Sequence, residues 1–118
     1  MKFKCIYDEE SDVLSIFNPI CKSNESIEFS ENIIFDLNKE GKIVALQIID
    51  ASEFFSSMNE KVNKEFLSHL EEIDLIDKEF RNSWFIMLNM KSKGFEIIQQ
   101  PMPLLRKSEY KSSLMCAN

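Results

Sequence analysis

The segment "DLNKEGKIVALQ" has the residue spacing of a calcium loop. An EF-hand loop supplies oxygen ligands from positions 1, 3, 5 and 12 and has glycine at position 6. Counted from Asp36, the first ligands are Asp36, Asn38 and Glu40, and Gly41 takes the glycine position. Position 12 is Gln47, which cannot provide a bidentate carboxylate, and Asp, Asn and Gly favour hairpin turns for backbone reasons alone. We interpret the segment as a turn and keep a weak calcium site at Asp36, Asn38 and Glu40 as the alternative.

Four acidic residues crowd one short segment near the start of the chain: Asp8, Glu9, Glu10 and Asp12. Such a cluster could bind a hard cation or a basic protein partner, and Asp8 with Asp12 could do acid–base chemistry. A solvated turn between two strands explains the same residues. Asp12 begins a strand, where its carboxylate could instead orient a neighbouring backbone amide. We predict that Asp8, Glu9 and Glu10 belong to an interaction surface.

The remaining reactive side chains do not form a catalytic set. His69 is the only histidine, so a histidine metal site is disfavoured. The cysteines, Cys5, Cys21 and Cys116, are odd in number and contain no CxxC pair, which excludes a zinc ribbon and argues against a disulfide framework. No GxSxG segment surrounds Ser52, and two isolated glycines cannot build a phosphate loop. We predict no catalytic residues and no cofactor apart from the calcium alternative.

Charge is distributed unevenly along this chain of 118 residues and net charge −6. Residues 1–60 carry five lysines and twelve acids, a net charge of −7, whereas residues 91–118 carry five bases and two acids, a net charge of +3. An acidic body repels phosphate backbones, so nucleic acid is a disfavoured partner and a basic protein is a suitable one.

The chain has the features of a cytoplasmic protein with reduced thiols. No apolar run approaches the roughly 18 residues of a membrane-spanning helix. The start, "MKFKCIYDEE", lacks the apolar core of a secretory signal. We therefore expect no membrane association.

Alternating apolar and polar residues predict an N-terminal antiparallel sheet. The predicted strands lie at 3–7, 12–17, 27–30, 31–37 and 42–50. The last of these is apolar on both faces, which is typical of a central strand covered by a second layer or by a partner chain.

Helical patterns follow the sheet. Asp50 is the predicted N-cap of a short helix at 51–57. The best helical pattern covers residues 59–76, with Val62, Phe66 and Ile73 along one face.

A second hairpin is predicted near the C-terminus, from residues 83–90 and 94–100. Its first strand contains the continuous apolar run "WFIML", which starts at Trp84. If this hairpin lies at a sheet edge, the run exposes an apolar surface that needs a partner. We predict that Trp84 contributes to an interaction surface and that the chain binds a protein partner or forms a homo-oligomer.

These elements predict an α+β fold with an antiparallel N-terminal sheet, one long helix and a C-terminal β-hairpin. The helix and the hairpin are expected to cover the strand at 42–50. We predict a single domain, 1–118, made of a sheet region (1–54), a helix and hairpin extension (55–105) and a flexible tail (106–118).

The segments "YDEESDVLSI" and "SIEFSENIIFDLNKEGKIVALQIIDAS" resemble a small prokaryotic family that carries a domain of unknown function. That family has the pattern Tyr-Asp, Asp-x-Leu, a Glu-rich strand, Asp-Leu-Asp-x-x-Gly-x-Ile-Val-Gly-Ile-Glu-Ile and Asn/Asp-Ala-Ser, which corresponds here to residues 3–54. Ala45 stands where the family often has Gly, and Gln47 where it often has Glu. The resemblance implies a compact antiparallel sheet followed by a helix, and it implies no activity.

Some members of that family are thought to lie beside small toxin-like genes, so the resemblance suggests an antitoxin or a regulator. Our first functional hypothesis is a non-enzymatic cytoplasmic protein-interaction or regulatory module. A weak calcium-binding protein is the alternative, and a small enzyme that uses its acidic residues is the second alternative.

Overall fold

The computed structural model describes residues 2–103 and 105–106. In this part of the chain, β-strands account for most of the regular structure. The strands are β1 (Lys2–Asp8), β2 (Val13–Phe17), β3 (Glu25–Glu28), β4 (Ile33–Leu37), β5 (Ile43–Ile49), β6 (Leu70–Phe80), β7 (Ser83–Ser92), β8 (Ile98–Pro101) and β9 (Leu105–Arg106). Two short helices separate β5 from β6: α1 (Ala51–Ser56) and α2 (Lys64–Ser68).

All the strands belong to one antiparallel sheet with the order β3-β4-β5-β2-β1-β6-β7-β8, and β9 pairs with the start of β7. Strand β1 pairs with β2 from Lys4 to Asp8 and with β6 at Lys2 and Phe3. The N-terminal strands and the C-terminal strands are thus joined through one short stretch of β1.

One face of the sheet carries the hydrophobic core. Phe35 and Trp84 come from opposite halves of the sheet, and their rings meet edge to face with centroids 5.1 Å apart. Phe55 of α1 and Phe66 of α2 are fully buried against this inner face. The short helices therefore act as a partial second layer on one side of the sheet.

The predicted long helix at 59–76 is wrong, and so is the α+β fold with one long helix. Helix α2 covers only five residues, and the chain from Leu70 onward is strand β6. The segment "EIDLI" also alternates with period two, so Ile73 and Leu75 can face the core while Asp74 and Ile76 face away. Pairing of β6 with ten residues of β7 satisfies its backbone and outweighs a local helical preference.

The covering of strand β5 also differs from the prediction that a long helix and a hairpin lie over it. Strand β5 lies between β4 and β2 as a central strand, with Leu46 and Ile48 fully buried on its inner face. On the other face Gln47 is exposed, so the described residues do not cover that side. The predicted tail, 106–118, lies outside the described residues apart from Arg106.

Candidate functional site

The Asp12 carboxylate is the centre of a hydrogen-bonded cluster that joins the β1–β2 turn to the start of α1. The Tyr7 hydroxyl donates to Oδ1 of Asp12 at 2.5 Å. The backbone N–H of Ser52 donates to the same oxygen at 3.0 Å, and the Ser52 hydroxyl donates to Oδ2 at 2.7 Å. The backbone N–H of Ala51 donates to the carbonyl oxygen of Asp12 at 2.9 Å. Asp12 therefore binds the first two N–H groups of α1.

This arrangement replaces the predicted helix cap. Asp50 has left-handed backbone angles, with φ 53°, and its side chain makes no capping hydrogen bond. The carboxylate that caps α1 belongs instead to Asp12, which lies 40 residues earlier than Ser52. The expectation that Asp12 orients a neighbouring backbone amide is met, and the amide is that of Ser52.

Two backbone conformations at the cluster are strained. Asp12 has φ 56° and Asp50 has φ 53°, both in the left-handed region. An L-residue in this region is disfavoured by about 1–2 kcal/mol, although Asp tolerates it better than most residues. The hydrogen bonds around Asp12 hold both turns in these conformations.

The cluster keeps Asp12 ionised and Tyr7 neutral. Burial would raise the pKa of Asp12, but hydrogen bonds from Tyr7 and Ser52, with the nearby charge of Lys64, together hold it below its ordinary value of 3.8. Burial raises the pKa of Tyr7 above its ordinary value of 10.0, and the hydrogen bond to Asp12 raises it further. At neutral pH the Tyr7 hydroxyl therefore stays protonated and donates its hydrogen bond to the ionised Asp12 carboxylate.

Tyr7→Phe is expected to lower the free energy of unfolding by about 1–2 kcal/mol, because it removes a hydrogen bond to a charged group. Because the folded pKa of Tyr7 is raised, its contribution is present below pH 10.0 and is lost as the pH rises through the folded value. Urea unfolding of wild type and Tyr7→Phe between pH 7 and pH 11 checks this. A difference in unfolding free energy between wild type and Tyr7→Phe that stays constant over this pH range would contradict the prediction.

The hydrogen bonds of this cluster connect separate segments of the chain. Each described donor to Asp12 comes from residues that build the turn or the helix start. The imidazole Nδ1 of His69 lies 2.9 Å from the carbonyl oxygen of Glu65, so it is engaged on its own helix. Sequence reasoning identified Asp12 but missed Tyr7 and Ser52 as its partners. The only sequence signal for Tyr7 and Ser52 was that the family pattern contains both Tyr-Asp and Ala-Ser.

The predicted acidic surface is a structured turn. Oδ1 of Asp8 accepts the backbone N–H of Glu10 at 3.0 Å, so it stabilises the turn itself. The Ser68 hydroxyl donates to the Glu9 carboxylate, which ties this turn to α2. Glu10 is exposed. The three acids border a shallow depression with Ile6 and Tyr7, and Asp12 is not among its lining residues.

The segment interpreted as either a turn or a calcium loop has the geometry of a turn. Oδ1 of Asn38 accepts the backbone N–H groups of Glu40 at 3.0 Å and Lys42 at 2.9 Å. Gly41 has φ 80°, as its position in the turn predicts. Asp36 lies within β4, on the face of the sheet opposite the core. Calcium binding at Asp36, Asn38 and Glu40 stays a prediction, which calorimetry on wild type and Asp36→Ala tests at millimolar calcium.

Asn38→Ala is expected to lower the free energy of unfolding by about 1–2 kcal/mol, since two backbone N–H groups lose their acceptor. Asn38→Asp, which keeps the oxygen, is the matched control and is expected to stay within about 0.5 kcal/mol of wild type. Chemical denaturation measures both. Equal losses in the two variants would show that the side-chain oxygen does not stabilise this turn.

Trp84 does not lie at the surface where the interaction hypothesis placed it. Its side chain is 3% exposed and packs against Phe35. The next residue, Phe85, is 51% exposed, because neighbouring side chains in a strand point to opposite faces. The apolar run therefore has one core face and one exposed face.

We call the exposed side of these strands the outer face of β6–β7. It consists of four cross-strand pairs: Glu72 with Lys91, Asp74 with Asn89, Ile76 with Met87, and Lys78 with Phe85. Ile76 is 43% exposed. A groove of about 470 Å³ lies here, lined mainly by apolar side chains: Ile76, Phe85, Ile86, Met87, Pro101 and Met102, with Lys78. This groove is a candidate interaction surface.

Burial raises the pKa of the Cys5 thiol, and the nearby charge of Glu72 raises it further, which disfavours the reactive thiolate. Within residues 2–103 and 105–106, no group of three or more His, Cys, Asp or Glu side chains is placed to hold a metal ion. No helix in that same part of the chain is long and apolar enough to cross a membrane.

Comparison with known proteins agrees with the resemblance in the sequence. An uncharacterised protein of Methanocaldococcus jannaschii is 29% identical over 92 residues, which cover 77% of this chain and 72% of that protein. No solved structure matches the chain. Residues 4–52 match the model of a family described as protein of unknown function (DUF2283). These residues include Tyr7, Asp12 and Ser52, so the Asp12 cluster falls within the matched segment. The predicted resemblance is confirmed: residues 4–52 are similar to the DUF2283 family, a family of unknown function.

Proposed function

We propose that this chain is a non-enzymatic protein-interaction module that binds its partner through the outer face of β6–β7. The observation that carries the proposal is the exposure of Phe85 and Ile76 in one apolar groove, on the face of the sheet opposite the core. Fully burying an apolar side chain of this size contributes about 1.5–3 kcal/mol. Because Phe85 and Ile76 are each about half exposed, covering both is expected to contribute about that much in total.

The groove sits on rigid elements. Strands β6 and β7 pair in uninterrupted register from Glu72 to Phe80, and Leu88 and Met90 anchor β7 in the core. A surface built on paired strands keeps its shape in the free protein, so little ordering is needed on binding. This favours recognition of a folded partner.

Charge supports a basic or mixed-charge protein as the partner. The chain has a net charge of −6, and its acidic turn at Asp8, Glu9 and Glu10 adds negative potential beside β1. Regulatory or antitoxin-like action is a finer form of this proposal and rests on the family resemblance. A cytoplasmic location suits the free thiols of Cys5 and Cys21.

Affinity capture with matched variants tests the proposal. Phe85→Thr removes the ring but keeps a residue suited to a strand. Ile20→Thr is the control, because Ile20 is 89% exposed and does not line the groove. At about 10 µM, wild type and Ile20→Thr are expected to retain a stoichiometric partner or a second copy of the chain, and Phe85→Thr is expected to lose it at least tenfold. Retention that is the same for all three chains, or absent in wild type, would overturn the proposal.

A further inference from the structure

We propose that the groove on the outer face of β6–β7 binds a free aliphatic carboxylate, a small acid with an apolar chain of medium length. The acid uses the same groove as the proposed protein partner, but its binding does not require that partner. The lining of the groove is apolar except for Lys78. An amphipathic anion matches this lining, since its chain covers the apolar side chains and its carboxylate pairs with the ammonium group.

The groove lies where the edge of β7 passes from one neighbouring strand to another. Strand β8 pairs with β7 as far as Met87, which lies opposite Pro101, and β9 pairs with β7 at Trp84 and the residue before it. Between these positions the backbone N–H of Met102 donates to the carbonyl oxygen of Ile86 at 2.9 Å. This hydrogen bond attaches the wall formed by Pro101 and Met102 to β7, so the groove is built into the fold.

The groove has the size of a small-molecule site. Its volume of about 470 Å³ falls within the roughly 300–1,000 Å³ of ligand pockets, which are also lined mainly by apolar side chains with a few polar groups. From Lys78 on β6 to Pro101 on β8 it extends about 10 Å across the strands and about 7 Å along them. The extended chain of decanoate spans this distance.

Lys78 places a positive charge at one end of the groove. Its neighbours on the same face are apolar: Ile76 lies along β6, and Phe85 lies opposite on β7. Asp77 and Glu79 adjoin Lys78 in the sequence, but neighbouring side chains in a strand point to opposite faces. Within the part of the chain that the structure describes, Lys78 forms no ion pair. Its ammonium group is therefore available to a carboxylate whose chain lies in the groove.

The acids on the outer face lie beyond Ile76 from Lys78, outside the groove, and each has a basic neighbour. Asp74 pairs in register with Lys2, and Glu72 pairs with Lys91. The net charge of −6 opposes anion binding, but salt screens it over about 10 Å at about 0.1 M ionic strength. We therefore expect a weak site with a dissociation constant on the order of 0.1–1 mM, in which the apolar chain supplies most of the affinity.

Methyl NMR titration of the full chain with sodium decanoate at pH 7 tests the site. The signals of Ile76, Met87 and Met102 are expected to shift and to saturate with a dissociation constant on the order of 0.1–1 mM. The signals of Ile20 and Ile97, which are 89% and 66% exposed and lie outside the groove, are expected to stay in place. Equal shifts at Ile20 and Ile97, or no saturation below about 10 mM, would overturn the site.

A matched pair of variants and a matched ligand test the role of the charge. Lys78→Gln keeps the side-chain length, and its affinity for decanoate is expected to fall about two- to fivefold, as loss of an exposed ion pair predicts. Lys39→Gln, in the β4–β5 turn, is the control and is expected to bind like wild type. Decylammonium has the same chain with the opposite charge and is expected to bind wild type at least fivefold more weakly than decanoate.

Equal affinity of the two variants for decanoate, or of wild type for the two ligands, would overturn the pairing of the carboxylate with Lys78. Circular dichroism establishes whether each variant is folded, and if Lys78→Gln does not fold, the comparison of the two ligands on wild type decides. Capture of a protein partner is measured without decanoate, so the two proposals fail separately. A face that captures a protein but does not bind decanoate removes only this inference, and the reverse result removes only the proposed function.

Discussion

Asp12→Ala is expected to lower the free energy of unfolding by about 3–4 kcal/mol. The change removes the acceptor for Tyr7 and for both donor groups of Ser52, at roughly 1 kcal/mol per hydrogen bond. It also places Ala at φ 56°, which adds about 1 kcal/mol of backbone strain. Equilibrium unfolding in urea at pH 7 measures the loss.

Two further substitutions separate these causes. Asp12→Gly removes the side-chain acceptors but relieves the strain, and Asp12→Asn keeps one oxygen acceptor and tolerates the left-handed conformation. We expect stability to decrease in the order wild type, Asn, Gly, Ala. If Ala were as stable as wild type, the carboxylate would have no role in joining the β1–β2 turn to α1.

The Asp12 contribution also has a defined pH dependence. The folded pKa of Asp12 lies below its ordinary value of 3.8, so the carboxylate stabilises the fold fully above that value. This stabilisation is lost as the pH falls through the folded value. Wild type and Asp12→Asn should therefore converge in stability in acid.

Trp84→Ala is expected to lower the free energy of unfolding by about 3–5 kcal/mol, as removal of a buried aromatic ring generally does. The loss should include the contact with Phe35, which joins the two halves of the sheet. Phe85→Thr, one residue later, should change stability by less than about 1 kcal/mol, because its ring is half exposed. Thermal and urea unfolding of the two variants make the comparison.

This pair of variants separates the core from the binding surface. Trp84→Ala should lose stability, and Phe85→Thr should lose association while remaining folded. A stable Trp84→Ala variant that no longer associates would place the interaction at Trp84, as its sequence position had suggested, and would remove the role assigned to Phe85.

The N-terminal strands were predictable because their signals are local. Side-chain burial alternates along β2, with Leu14 and Ile16 buried, and the Asn38–Gly41 turn has the residues that its backbone requires. Positive φ at Gly41 and antiparallel pairing of β4 with β5 follow from that chemistry. Each of these features depends on residues that are close in the sequence, since the β4–β5 pairing lies entirely between Ile33 and Ile48.

Residues 59–76 could not be assigned from local pattern. Val62 and Phe66 fit a helical face, and they are buried as that pattern predicts. Helix α2 ends at Ser68. Ile73 and Leu75 fit a strand equally well, and they pair with Met90 and Leu88 of β7. A five-residue helix has little stability of its own, so tertiary contacts decide where it ends.

The candidate site residues also divide into those with a local sequence signal and those that depend on long-range contacts. Asp12 was identifiable from its position at a strand start, but its partner Ser52 is 40 residues away and is brought close only by the sheet. In the run "WFIML", the sequence shows an apolar strand but not which face meets the core. The position of β6 beside β7 buries Trp84 and leaves Phe85 exposed.

Side-chain footprinting with hydroxyl radicals tests the central claim most directly, because it reports whether the outer face of β6–β7 is covered in solution. Phe85 and Met87 are the reporters, and Phe95, which is 39% exposed and packs against Phe66, is the internal reference. We predict that oxidation of Phe85 and Met87 falls at least threefold relative to Phe95 when the chain is concentrated or placed in native lysate. Unchanged oxidation of both reporters under both conditions would contradict a binding role for this face.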